Sequence, residues 1–64
     1  MGKSIEIGKA LRRARKLNKL TLREVSRKTK ISPPTLSRVE RGEPMMHETA
    51  LKIMMWLADE DELE

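Results

Sequence analysis

The side chains best suited to chemistry concentrate in one short stretch, ISPPTLSRVERG, from Ile31 to Gly42. With Leu36 and Val39 turned inward, a helix here carries Pro34, Ser37, Arg38 and Arg41 on its opposite arc. Pro33 and Thr35 then lie at its leading rim. Those residue types suit the major groove of double-stranded DNA. Arg38 can donate twice to guanine O6 and N7, a pairing that discriminates between bases by about 1–3 kcal/mol. Ser37 can bond almost any base or a phosphate. Pro33 and Pro34 have no N–H and offer apolar rings, so they are expected to pack on thymine methyl groups. Ser32 and Thr35 suit phosphates or capping. Arg41 suits a phosphate by charge, and Gly42 by close backbone approach. A phosphate contact or a solvated side chain is the plain alternative for Arg38.

The charge balance agrees. The chain has 64 residues and a net charge of +4. Residues 1–42 hold 13 Lys and Arg against three acids, Glu6, Glu24 and Glu40, a balance of +10. Residues 43–64 hold one base against seven acids, a balance of −6. A basic front with an acidic tail points to a polyanion-binding face and a far end that avoids it. With no cysteine and His47 as the single histidine, neither a disulfide, a metal centre nor a cofactor site is expected. No Ser–His–acid set has independent support, so no enzyme is expected. No run approaches the ~20 apolar residues that span a bilayer. The expected setting is cytoplasmic, with no membrane partner.

The elements that must position the stretch are all helical, since apolar residues recur at helical spacing and nothing alternates for long. A first helix is predicted from Ser4, as cap, to about Leu17, with a stripe of Ile7, Leu11 and Ala14. A second opens on TLRE, where Thr21 and Glu24 make a capping box, and ends near Thr29-Lys30. A third has Ser32 as N-cap through the amide of Thr35, and Pro33 at its first position, where a missing N–H breaks no helical bond. Gly42 ends it and Pro44 prevents continuation. A fourth runs from about Met46 to Ala58, with Ala50, Ile53, Met54 and Leu57 as its core face. The expected fold is all-α, one domain over 1–64: a compact bundle of four or five short helices around a central helix-turn-helix. Its core spans about residues 5–58, and 59–64 form a frayed acidic tail.

The run LTLREVSRKTKISPPTLSRVERGEP resembles the helix-turn-helix of the lambda-repressor and Cro-like (XRE-type) regulators of phages and bacteria, a likeness covering roughly Ile7 to Leu57. The resemblance implies a bundle that binds operator DNA as a dimer. It also implies a structural ion pair between Arg15, late in the first helix, and Glu40, at the end of the third. The chain departs from the family in three places. Leu22 stands where a phosphate-binding glutamine is common, which leaves that anchor to the backbone amide, aided by Arg23. Lys19 and Lys30 stand where glycine is favoured. Pro33 and Pro34 stand where polar base-reading side chains are common.

The fourth helix has apolar residues beyond one core face. Leu51, Met55 and Trp56 are therefore expected at the interface of a homodimer, which would place two reading helices about one DNA turn, ~34 Å, apart on inverted half-sites. The reading that follows is a sequence-specific transcriptional regulator, in the first place a repressor that occupies its operator. The same fold could instead serve as an antitoxin or a protein-interaction module, with a toxin or another regulator bound through the fourth helix.

Overall fold

The computed structural model describes residues 2–62, with side chains from residue 5 to residue 59. Four helices follow one another: α1 Gly2–Leu17, α2 Leu22–Thr29, α3 Pro33–Glu40 and α4 His47–Glu62. There is no strand among the described residues. α1 and α4 flank the α2–α3 unit, α1 packing on α3 and α4 and α2 packing on α3 and α4. Leu11, Val25, Ile31, Leu36, Val39, Ile53 and Trp56 form the buried centre. Ile7, Ala14, Leu20, Leu22, Met45 and Leu57 pack around it.

Local chemistry sets most of the helix ends. At the start of α2, Thr21 Oγ1 accepts from the Glu24 amide at 3.1 Å, and Glu24 Oε1 accepts from the Thr21 amide at 2.7 Å. The bond from the Thr21 amide, with a smaller contribution from the Thr21 hydroxyl, holds the Glu24 carboxyl below its ordinary range. α1 closes in a Schellman turn, with the Leu20 amide on the Arg15 carbonyl at 2.9 Å and the Lys19 amide on the Lys16 carbonyl at 3.1 Å. Lys19 and Lys30, which follow α1 and α2, are both left-handed at φ 56° and 63°. Each costs about 1–2 kcal/mol relative to a right-handed conformation, since Cβ crowds the following carbonyl. α3 closes in a second Schellman turn, with Gly42 at φ 82° and the Glu43 amide on the Arg38 carbonyl at 3.1 Å.

Four expectations need correction. α1 begins at Gly2, two residues before Ser4, so Ser4 lies inside the helix; its side chain is outside the described residues. Ser32 does precede α3, but its hydroxyl caps no amide; it donates instead to Thr35 Oγ1 at 2.8 Å. The proline after it holds Ser32 extended, at φ −61° and ψ 148°, and its Oγ meets the neighbouring hydroxyl in that geometry. α4 continues to Glu62, because no Gly or Pro interrupts it after Ala58.

The fourth correction concerns how α4 is turned. Trp56, expected on the outside at a dimer interface, is buried at 6 % exposure, whereas Met54, expected in the core, is 53 % exposed. Placing Ile53 at the centre of the buried arc puts Trp56 and Leu57 on its two sides and Met54 at its edge. The wide indole reaches the α2 side, where Lys28 and Thr29 line the same surface depression. Its Nε1 is buried without an acceptor. That costs about 1–3 kcal/mol. Burying a ring of roughly 150–250 Å² outweighs it at about 25 cal/mol per Å².

Candidate nucleic-acid interface

The outer arc of α3 stands clear of the bundle because its inner arc is fully used. Leu36 and Val39 are at most 1 % exposed and fix the roll of the helix. Pro33, Pro34, Arg38 and Arg41 are then exposed, and Thr35 and Ser37 half-buried. The structure thus brings together on one surface the residues assigned to bases, Pro33, Pro34, Ser37 and Arg38. Ser32 and Thr35 lie at the leading end, engaged with each other through their hydroxyls. Arg41 and Gly42 lie at the trailing end. There the Arg41 Nε stands 3.4 Å from a Glu43 carboxylate oxygen, an exposed pair worth little.

The α2 start is less well equipped. Leu22 is half-buried and packs on the core, so its side chain has nothing to give a phosphate and only its amide remains. Arg23 beside it is exposed.

α3 is tied to α1 as well as packed on it. Arg15 Nε donates to Glu40 Oε2 at 2.7 Å and Arg15 Nη2 donates to Glu40 Oε1 at 3.0 Å, a two-pronged ion pair. Arg15 Nη1 also donates to the Leu20 carbonyl at 3.2 Å, joining the α1–α2 turn to the same knot. The hydrogen bond to Glu40 raises the Arg15 pKa, against a smaller lowering by burial. With 18 % and 9 % of their side chains exposed, the pair is largely shielded from solvent.

Gly8 completes the attachment. A Cβ there would run into the Val39 carbonyl oxygen, so α1 lies against the backbone of α3. The sequence marks Gly8 only weakly, since a lone glycine inside a helical pattern is tolerated at a cost of about 1 kcal/mol relative to alanine and names no contact by itself.

Away from α3, Lys9, Arg12, Arg13 and Lys16 form an exposed basic face on α1. On α4, Leu51, Met54, Met55 and Ala58 are all exposed and share one stripe at spacings of three and four residues. This stripe contains two of the three residues expected at a dimer interface; Trp56 is on the opposite side. A shallow groove beside it is lined by Ile7, Met45, His47, Ala50, Leu51 and Met54. No helix among the described residues is long and apolar enough to cross a membrane.

Comparison with known proteins gives one match. A family model described as a helix-turn-helix domain matches residues 6–63. No curated protein and no solved structure matches the chain.

Proposed function

The chain belongs to the helix-turn-helix domain family, and from that premise we propose that it is a sequence-specific, cytoplasmic DNA-binding regulator, not an enzyme. The observation that carries the proposal is the outer arc of α3. It combines an exposed arginine with an apolar leading edge on a helix closed by a Schellman turn and tied to α1 at its last residue. In this reading α3 enters the major groove, with Arg38 on a guanine, Ser37 beside it and the prolines at the leading side. Arg23, Arg41, the Gly42 backbone and the amide of Leu22 hold phosphates, with Ser32 and Thr35 at the margin. Arg15 and Glu40 keep the helix oriented and touch no DNA. In the same proposal it represses by occupying an inverted-repeat operator.

The dimer belongs to the same proposal in corrected form. Leu51, Met54 and Met55 make the interface, and Trp56 supports it from within the core. Methionine and leucine repack readily against a second copy of the same stripe.

A second reading has two observations in its favour. The phosphate anchor at Leu22 is reduced to a backbone amide, and α4 presents a methionine-rich face. A protein-interaction module that kept the fold and lost DNA reading would use that face and leave DNA alone.

Titration with random duplex at two salt concentrations separates the readings. A DNA binder loses affinity steeply between about 50 and 200 mM salt. No binding at the lower salt would sink the regulator.

A further inference from the structure

The leading edge of α3 has a narrower chemistry than the rest of its outer arc. Pro33 and Pro34 occupy its first two positions, so neither supplies a backbone N–H or a polar side-chain atom. Both rings are exposed. The two hydroxyls nearest them, on Ser32 and Thr35, bond each other at 2.8 Å. What the two proline positions offer outward is therefore C–H surface, with the unused hydroxyl capacity of Ser32 and Thr35 at its margin. In the major groove the group that such a surface fits is the methyl on C5 of a pyrimidine.

Thymine carries that methyl, and so does 5-methylcytosine, at the same ring position. The two differ beside it, where thymine has the O4 acceptor and cytosine the N4 amino donor. Telling them apart requires a donor or an acceptor, and proline side chains have neither. Resting on the DNA-binding reading above, we propose that Pro33 and Pro34 form a C5-methyl reader that accepts thymine and 5-methylcytosine alike and disfavours uracil and unmodified cytosine.

Arg38 fixes where the methyl must be. It lies one turn beyond Pro34 on the same exposed arc, about 6 Å along the helix axis at 1.5 Å per residue. At about 3.4 Å per base step this is one to two steps from the guanine that Arg38 takes. The recognised element is a C5-methylated pyrimidine one or two steps from a guanine. Occupancy then depends on cytosine methylation wherever that pyrimidine is a cytosine.

The test uses the full chain and a duplex selected from a random pool, with affinity read by fluorescence anisotropy. Each pyrimidine of the half-site is presented in turn as thymine, uracil, cytosine and 5-methylcytosine. At one position, thymine over uracil and 5-methylcytosine over cytosine should each favour the methylated base about fourfold, the value of burying one methyl-sized group. The Pro33→Ser/Pro34→Ser double variant should bring both ratios below about twofold by the same measure. Emission from Trp56, the single tryptophan, checks that it is folded.

Ratios near one at every position would overturn the inference, as would a thymine–uracil difference with no 5-methylcytosine–cytosine difference. Salt-steep binding with no methyl effect removes this inference alone. Absence of duplex binding at low salt removes the DNA-binding reading and this one with it.

Discussion

α3 and α4 both carry surface that the core does not take, and they hold it in opposite ways. α3 has eight residues and is clamped. Prolines open it, a Schellman turn closes it, and Arg15 grips its last residue. α4 has 16 residues and an outer stripe of leucine and methionine that no side-chain hydrogen bond fixes among the described residues. A rigid frame suits a ligand whose donors and acceptors are spaced in advance, as base edges are. A soft apolar stripe suits a partner that packs and adjusts. The contrast supports the proposal that α3 reads and α4 associates.

The largest effects should come from setting the two faces of α4 against each other. Trp56→Ala should cost about 3–5 kcal/mol, as loss of a buried aromatic ring does. That approaches the whole stability of a domain this small, about 5 kcal/mol. Met54→Glu should leave the melting curve within about 0.5 kcal/mol of the parent at a dilution where both are monomeric, while sedimentation at higher concentration shifts toward monomer. Thermal melts followed by circular dichroism check the first change. A Trp56→Ala protein that melts like its parent would mean the two faces are exchanged.

A smaller loss should follow from releasing α3. Glu40→Ala strands the Arg15 charge and should cost about 2 kcal/mol, below the range for fully buried pairs, since both side chains keep some exposure. Adding Arg15→Ala should recover part of that loss. Urea unfolding read by Trp56 emission measures both single variants and the double, and losses that simply add would exclude the pair as the cause.

The smallest changes should be gains. Lys19→Gly and Lys30→Gly each relieve a left-handed lysine and should stabilise by about 1 kcal/mol. A fall in melting temperature at either would mean that a cation at a helix C-terminus outweighs the backbone strain.

The same contrast explains what could be read from the sequence. The capping box at Thr21 and Glu24, the proline start of α3 and the glycine after it are encoded within four or five residues each. The helix-turn-helix was legible from them. The roll of α4 was not. Its residues supply two apolar arcs, one through Ile53, Trp56 and Leu57 and one through Leu51, Met54 and Met55. Periodicity gives both arcs the same weight. The choice is made at long range, by α1 on one side and α2 on the other, with the indole on the α2 side. Gly8 escaped notice for a related reason, since its role depends on the Val39 carbonyl of another helix. The outer arc of α3 could be assembled from spacing alone, but the bond between the Ser32 and Thr35 hydroxyls could not.

Base reading by the outer arc of α3 depends above all on Arg38, so Arg38→Ala is the sharpest probe of it. The affinities of parent and variant are measured for a selected operator and for random duplex at one salt concentration. The predicted result is that the operator preference falls by about 5- to 150-fold, the equivalent of one arginine–guanine pairing, while random-duplex affinity changes little. An equal proportional loss on both duplexes would contradict the account, because Arg38 would then be holding a phosphate.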